Sequence, residues 1–150
     1  MAEHGPALMA LARARLGTHA AAEEAVQEAF ARFWPRRSEV ADAKAYLFRC
    51  VRAAAVDAQR AGASRRRREE AAAAPEAVFE EPADDLGRAL AEAVGRLPAE
   101  QAEMVTLKHW GGLTLAQAAE AAGCPPGTAA SRYRAAVASL RRALDPEDFR

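Results

Sequence analysis

Glycine and proline divide this sequence into segments whose apolar side chains recur every three or four positions. That spacing places the apolar side chains on one face of an α-helix. No segment alternates apolar and polar residues as a half-buried strand does, and β-branched residues are few, so an all-α fold is predicted. Alanine fills 42 of the 150 positions. Because alanine buries little apolar area, the pattern favours short, closely packed helices and not an enzyme fold around a deep pocket.

Seven helices are predicted from this spacing and from the residues that break or cap it. Thr18, Asp42 and Thr114 stand just before the second, third and sixth helices, where a side-chain oxygen accepts a hydrogen bond from a free amide. Trp34 and Trp110 close the apolar stripes of the second and fifth helices, so we expect both rings in the core. The helices are predicted at about residues 6–16, 20–34, 43–61, 86–95, 98–110, 115–122 and 127–144.

Residues 63–84 differ from the rest of the chain in composition. Four consecutive arginines, residues 65–68, are followed by acids, alanines and two prolines, with almost no large apolar residue. This composition is typical of a flexible linker. We therefore predict two small helical bundles, residues 1–62 and 85–144, joined by the linker 63–84 and followed by a tail, residues 145–150.

Several classes of protein are excluded by what the sequence lacks. No run of about 18 apolar residues is present, so no membrane insertion is expected, and no secretory signal is visible, so we expect a cytoplasmic protein. Cys50 and Cys124 are too few for a disulfide scaffold, and no histidine stands at metal-ligand spacing from them. Without a phosphate-binding glycine loop or converging titratable groups, we expect no catalytic residue, metal or cofactor, and no enzyme.

The strongest local motif is a helix-turn-helix over residues 113–142, in which a short capped helix, a glycine-containing turn and a longer helix follow one another. The formal net charge is zero, yet residues 126–142 contain four arginines and no acid. For DNA binding, the local positive charge of this segment matters more than the net charge of the whole chain. A plain helical hairpin with a solvated arginine face is the alternative. The residues expected at DNA are Thr128, Ala130, Ser131, Arg132 and Arg134.

The same segment resembles the C-terminal promoter-binding domain of extracytoplasmic-function (ECF) sigma factors. That family shows Leu-Pro before a helix, Leu-Thr or Leu-Ser at a helix start, then Gly-x-Pro-x-Gly-Thr and Ser-Arg. Here these motifs are Leu97-Pro98, Leu113-Thr114, GCPPGT at 123–128 and Ser131-Arg132. The resemblance implies that the last helix contacts the −35 promoter element.

The N-terminal half carries a second, linked match to the family. AAEEAVQEAFARFW at 21–34 resembles the helix that binds core RNA polymerase, and AYLFRCVRAAAVDAQR at 45–60 resembles the helix that faces the −10 element. The loop 35–42 takes the place where the family captures a flipped −10 base, and it contains no aromatic residue. An anti-sigma protein is the further partner that the resemblance implies.

Polar residues off the two apolar stripes supply the candidate contacts. Those of the second helix form a ridge that could equally be a plain solvated face, and the resemblance implies docking on the polymerase. Arginines of the third helix are placed to hold phosphates near a melted strand. The candidates for core-polymerase binding are Glu24, Gln27, Glu28 and Arg32. The candidates for the −10 region are Arg49, Arg52, Asp57 and Arg60.

The sequence departs from the family at a few of these positions. Ala53 stands where the family usually has asparagine, and Ala130, Ala135 and Val137 stand where basic residues are common. Each lost phosphate contact weakens binding and flattens its salt dependence. Two alternatives therefore stay open beside a promoter-directing sigma factor. One is a sigma-like mimic that sequesters an anti-sigma factor without binding promoter DNA, and the other is a helix-turn-helix regulator independent of polymerase.

Overall fold

All regular secondary structure in the computed structural model is helical over the residues it describes, 4–66 and 84–145. This confirms the predicted all-α class with its helix-turn-helix. A 3₁₀ turn, Trp34–Arg36, follows the second helix, and a π-helical turn, Thr106–Trp110, follows the fifth. The helices are α1 Gly5–Leu16, α2 His19–Phe33, α3 Ala43–Arg66, α4 Asp85–Gly95, α5 Ala99–Val105, α6 Leu115–Ala122 and α7 Pro126–Ala143.

The predicted caps decide where three of these helices begin. The hydroxyl of Thr18 and the carboxylate of Asp42 each accept a hydrogen bond from a first-turn amide, at 3.3 Å and 3.1 Å. Thr114 and Gln117 form a capping box, in which the hydroxyl accepts from the Gln117 amide at 3.1 Å and the Gln117 side chain accepts from the Thr114 amide at 2.9 Å. Free amides at helix starts are satisfied locally, so these boundaries are readable from sequence.

One predicted helix end is wrong, and one predicted helix is not α-helical throughout. The third helix does not stop at Gly62 but continues to Arg66, because the alanine- and arginine-rich sequence around Gly62 favours a helix more than one glycine disfavours it. The fifth helical segment ends at Trp110 as predicted, but it changes from an α-helix to a π-helical turn after Val105. The first residues of the predicted linker therefore belong to α3. Asp84, the last residue of the predicted linker, caps α4. Residues 67–83 lie outside the described part of the chain.

Helices α1, α2 and α3 form the N-terminal unit. Leu8 and Leu11 of α1 pack with Phe33 of α2 and with Leu47 and Val51 of α3, and all five side chains are buried in one cluster. The close approach of these helices depends on buried alanines at the crossing points. The buried alanines of α2 and α3 in the cluster are Ala22, Ala25, Ala29, Ala54 and Ala55.

Helices α4 to α7 form the C-terminal unit. A small cluster around Val94, Val105 and Ala136 joins α4, α5 and α7. Within the helix-turn-helix, α6 contributes four fully or nearly fully buried alanines, and α7 contributes Ala129. These small side chains let the two helices cross closely. The turn between them begins at Gly123, whose φ of +67° lies in the left-handed region that glycine adopts without strain.

The two units pack on each other through one continuous core, a contact that the sequence did not indicate. Met104, Leu107 and Leu113 of the C-terminal unit belong to the same buried cluster as Leu8 and Phe48 of the N-terminal unit. The apolar spacing of the third helix predicts a buried stripe of Tyr46, Leu47, Cys50, Val51, Ala54 and Ala55, which leaves out Phe48. In the structure its ring is fully buried, because α3 buries a second face beneath the C-terminal unit.

Glycine at position 111 makes this packing possible. A Cβ atom at Gly111 would lie 2.5 Å from the carbonyl oxygen of Leu107 and 3.1 Å from Cζ of Phe48. Any side chain there would push the π-helical turn away from α3. Gly111 is therefore the point at which the backbone of the C-terminal unit rests on the Phe48 ring.

Neither tryptophan lies in the core, contrary to expectation. Trp34 is 56% exposed and Trp110 is 40% exposed. Trp34 opens the 3₁₀ turn and Trp110 closes the π-helical turn, and both turns change the angular step per residue, which rotates the ring off the stripe of the preceding helix. On the surface, the Trp34 ring carries the guanidinium of Arg37 at 3.9 Å from its centroid.

Candidate polymerase and nucleic-acid interface

The exposed face of α2 presents the four candidates for polymerase binding together. Glu24, Gln27, Glu28 and Arg32, called the α2 ridge below, are all exposed. Their spacing of three and four residues places them on one side of the helix. Arg32 donates to Glu28 at 2.6 Å. An open surface concavity of ≈ 530 Å³ lies at the start of the ridge and includes Glu24 and Gln27 in its lining. The ridge is thus a polar, solvent-facing surface of mixed charge.

The candidates for the −10 region do not form one surface. Arg49 and Arg60 are exposed on α3. Asp57 lies toward the α2 ridge, where its carboxylate is 3.7 Å from Arg32. Arg52 is turned toward the C-terminal unit, and only 25% of its side chain is exposed. Of the four, two arginines are therefore free to meet a nucleic-acid strand in this arrangement.

Arg52 is held by a buried glutamate of the C-terminal unit. Glu103 of α5, whose side chain is only 2% exposed, accepts from Nε of Arg52 at 2.6 Å and from Nη2 of Arg15 at 3.2 Å. These three residues, called the Glu103 cluster, join α1, α3 and α5. A buried carboxylate is tolerated when it is paired in this way. Glu103 was not among the predicted residues, although it stands four positions before the apolar Leu107 and therefore on the same face of the helix.

A second set of polar contacts joins the units at the start of α3. Oδ2 of Asp42 accepts from the side-chain amide of Gln117 at 2.9 Å, and Nζ of Lys44 donates to the carbonyl of Gly112 at 3.4 Å. The amide of Ala45 and the side chain of Gln117 donate to the Asp42 carboxylate and hold its pKa below the ordinary 3.8. The end of the loop 35–42 is thereby tied to α6.

Replacing Asp42 with asparagine is expected to destabilise the protein near neutral pH and to matter less in acid. The folded pKa of Asp42 is lowered, so the carboxylate's contribution is complete above the unfolded value of 3.8 and is lost as pH falls through the folded value. Thermal unfolding of both proteins from about pH 7 to about pH 2.5 measures the difference in Tm, which should shrink toward low pH. A difference that stays constant with pH contradicts this role.

The recognition helix α7 exposes only part of its predicted contact set. Ser131 and Arg134 are exposed, whereas Thr128 and Ala130 are half-buried. Arg132 is 27% exposed, and its Nη2 lies 3.4 Å from the carboxylate of Glu100. The basic surface of the helix continues into its last turn with exposed Arg141 and Arg142. Of the predicted arginines of α7, Arg134 is therefore exposed, whereas Arg132 is held against α5.

Known proteins resemble this chain over nearly its whole length. Residues 1–66 match the Sigma-70 region 2 family and residues 87–140 match the Sigma-70, region 4 family. The ECF RNA polymerase sigma factor SigL of Mycobacterium tuberculosis is 30% identical over 151 residues, covering 95% of this chain and 85% of the relative. The chain belongs to the ECF RNA polymerase sigma factors. The resemblance in the sequence is therefore confirmed, and two matched regions fall on the two helical units.

Solved structures share the fold of this sigma factor. The sigma factor RpoE, in complex with the anti-sigma factor NepR from Bartonella quintana, superposes with a TM-score of 0.76 at 26% identity, covering 93% of this chain and 90% of that one. CnrH, in complex with the cytosolic domain of CnrY, gives a TM-score of 0.62 at 24% identity, covering 97% and 84%. The match to CnrH shows only that the two proteins share a fold.

A contact that the sequence did not indicate ties the sigma factor's recognition helix to the π-helical turn after α5. Nε2 of His109 and the hydroxyl of Tyr133 are 2.8 Å apart, with Nζ of Lys108 5.5 Å from the Tyr133 ring centroid. Lys108 and His109 both belong to the π-helical turn. The position of this turn therefore determines where Tyr133 of α7 is held. The apolar spacing of α7 predicts Tyr133 on its inner stripe, with Ala129, Val137, Leu140 and Leu144, and in the structure Tyr133 is half-buried.

The two cysteines of the sigma factor lie among apolar side chains. Cys50 is buried and Cys124 half-buried against the main core, and burial raises the pKa of the Cys50 thiol. Across residues 4–66 and 84–145 no three histidine, cysteine or acidic side chains come together as metal ligands would. None of the helices in those ranges has the length and apolarity to cross a bilayer.

Proposed function

We propose that this sigma factor binds core RNA polymerase through the α2 ridge and directs it to promoters with −10 and −35 elements. The observation that carries the proposal is that all four residues of the α2 ridge are exposed, on a chain whose α7 also exposes Arg134. The N-terminal unit, assigned residues 1–62, serves the polymerase and the −10 element. The C-terminal unit, assigned residues 85–144, serves the −35 element, and no covalent chemistry by the sigma factor is involved.

Run-off transcription tests this proposal directly. The purified chain is mixed with core polymerase and a library of promoter fragments, and the transcripts are sequenced. A product that depends on the chain supports promoter-directed initiation. Duplex binding that needs no polymerase and yields no transcript points to an independent helix-turn-helix regulator and contradicts the proposal.

Contact with the −35 element is assigned to Arg132 and Arg134. Changing both to alanine is expected to reduce −35 affinity and to lower the salt slope of binding by about two units, since each lost phosphate contact removes roughly one. Gel shifts of the polymerase complex at several salt concentrations measure the slope. Arg96→Ala, an exposed arginine at the end of α4, is the control. An unchanged slope for the double variant contradicts this assignment.

An anti-sigma protein is the further partner that we propose. The RpoE structure was solved with the anti-sigma factor NepR, and this chain shares that fold over most of its length. Loss of charge at 130, 135 and 137 favours a second candidate function, in which the chain sequesters an anti-sigma factor without binding promoter DNA. Capture of an anti-sigma protein together with no transcript in the run-off assay supports that second function.

A further inference from the structure

The π-helical turn Thr106–Trp110 places two nitrogen-bearing side chains against one tyrosine of α7. Nε2 of His109 lies 2.8 Å from the hydroxyl of Tyr133, and the centroids of the two rings are 5.7 Å apart. Nζ of Lys108 lies 5.5 Å from the centroid of the tyrosine ring. His109 is exposed, whereas Lys108 and Tyr133 are half-buried. These three residues, called the Tyr133 cluster, bring an ammonium, an imidazole and a phenol hydroxyl together at the side of α7.

Most of the charges around the Tyr133 cluster are positive. Arg134 follows Tyr133 in the chain, and Arg141 stands seven positions after Arg134, so both exposed arginines lie on one side of α7. The sequences of α1 and α7 contain no acid. The two acids of α5, Glu100 and Glu103, are paired with arginines. An anionic ligand is therefore favoured at this side of α7. The charged residues of the turn and of the helices around it are Lys108, Arg13 and Arg15 of α1, Glu100 and Glu103 of α5, Glu120 of α6, and Arg132, Arg134, Arg141 and Arg142 of α7.

Protonation of His109 changes what the hydroxyl of Tyr133 can bind. When Nε2 carries no proton, the hydroxyl donates its hydrogen to Nε2. When the ring is an imidazolium, Nε2–H donates to the hydroxyl oxygen, and the hydroxyl hydrogen becomes available to another acceptor. The same proton adds a positive charge next to Lys108. The protonated cluster therefore offers an anion a hydroxyl donor and two cations, whereas the neutral cluster offers the ammonium alone.

The position of the Tyr133 cluster beside the recognition helix suits a phosphate of the DNA backbone. The major groove is about 12 Å wide, close to the diameter of about 10–12 Å of an α-helix with its side chains. A helix that lies in the groove therefore has a phosphate strand along each side. Because Tyr133 and Arg134 are consecutive, a duplex that contacts Arg134 brings phosphates close to the cluster.

We propose that Lys108, His109 and Tyr133 bind one phosphate of the DNA backbone beside the −35 element, and that this binding takes up a proton at His109. The phosphate accepts from the Tyr133 hydroxyl and from Lys108, and its negative charge stabilises the imidazolium. Promoter affinity then falls as pH rises through the range in which histidine titrates, because the complex holds more protons than its free components. The inference rests on the proposed function, since it adds a contact to the −35 interface named there.

The pH dependence of promoter binding by the holoenzyme tests this proposal. Core polymerase carrying the wild-type chain or His109→Gln binds a pool of promoter fragments at fixed salt, between about pH 6 and about pH 8. Glutamine keeps a hydrogen-bonding side chain but does not titrate. Over this range the wild-type affinity is expected to fall about tenfold more than that of the variant, the size of effect that one opposite charge near a histidine produces. His19→Gln, at an exposed histidine of α2, is the control and should keep the wild-type dependence.

Tyr133→Phe distinguishes a phosphate contact from a purely structural anchor. The variant keeps the ring and loses the hydroxyl, so its promoter affinity should be reduced at about pH 6 and nearly normal at about pH 8. If the hydroxyl only anchors α7, the loss of affinity is equal at both pH values and the Tm falls, which contradicts the proposal. Lys108→Gln gives an independent measurement, because loss of one phosphate contact should lower the salt slope of binding by about one unit. An unchanged slope contradicts the assignment of Lys108.

Failure of this inference can be told apart from failure of the proposed function. If the holoenzyme binds promoter fragments and His109→Gln keeps the wild-type pH dependence, the proton-linked contact is wrong and promoter binding stands. If the wild-type holoenzyme binds no fragment at any pH, the proposed function fails. Inorganic phosphate alone then tests the cluster in the free chain, through the imidazole resonances of His109 in an NMR pH titration. Added phosphate should move that titration to higher pH, and an unchanged titration contradicts the site.

Discussion

Replacing Phe48 with alanine is expected to lower the free energy of unfolding by about 3–5 kcal/mol, the cost of removing a fully buried aromatic ring. The ring is 0% exposed and lies between the N-terminal unit and Gly111. Its loss should also separate the unfolding of the two units, because Phe48 lies where they meet. Chemical denaturation followed by circular dichroism should show two transitions in place of one.

Leu47→Ala is the matched control for this experiment. Leu47 is 1% exposed and packs among the helices of the N-terminal unit, so its truncation should cost about 2–5 kcal/mol without separating the transitions. If Phe48→Ala unfolds in a single transition with an unchanged denaturant slope, the two units are not held together at this ring.

Overpacking the same contact gives a second test of it. Gly111→Ala places a Cβ atom 3.1 Å from the Phe48 ring and 2.5 Å from a backbone oxygen, and the strain should cost about 1–3 kcal/mol. Gly95→Ala, where no atom lies within 4 Å of the added Cβ, should be neutral or slightly stabilising. Comparable losses for the two variants would argue against a tight contact at Gly111.

Reversing the charge of the α2 ridge is expected to abolish binding to core polymerase. In Gln27→Arg/Glu28→Arg two exposed residues become cationic, which places repulsive charge and bulk at the centre of the proposed contact. The fold should persist, because the Glu28–Arg32 pair that is lost is an exposed i,i+4 pair worth only about 0.3–0.5 kcal/mol. Co-elution of the chain with core polymerase in gel filtration measures the result.

Glu92→Arg provides the control for charge reversal. Glu92 is exposed on α4, in the other unit, so this variant should co-elute with polymerase like the wild type. Retention of the Gln27→Arg/Glu28→Arg variant by polymerase would remove the α2 ridge from the proposed interface, whereas equal loss in both variants would show a general effect of added positive charge.

The exposed candidates were easier to predict than the buried ones. Glu24, Gln27 and Glu28 lie off the apolar stripe of α2, and the structure leaves them exposed. Arg52 lies off the stripe of α3 by the same rule, yet it is paired with a buried carboxylate. Helical spacing identifies one buried face, but it carries no information on whether a distant segment covers a second one.

Local interactions explain why the sequence alone determined the elements of this sigma factor. Caps such as Thr114 with Gln117 act within one helical turn, the alanine-rich stripes impose helix packing, and the helix-turn-helix follows from a short capped helix, a glycine turn and a longer helix. Each of these signals is read within a few residues, so the all-α class and most helix boundaries could be predicted.

Only the tertiary structure decided how the two units are placed and which arginines remain free. Glu103 and Arg52 are separated by 51 positions in the chain. Phe48 and Gly111, which are in contact, are also far apart in the sequence. Such contacts depend on how two completed helical surfaces fit together, and a buried ion pair is stable only when both partners arrive in one place. No pattern with the period of a helix encodes contacts between distant segments, so the packing of the two units became visible only in three dimensions.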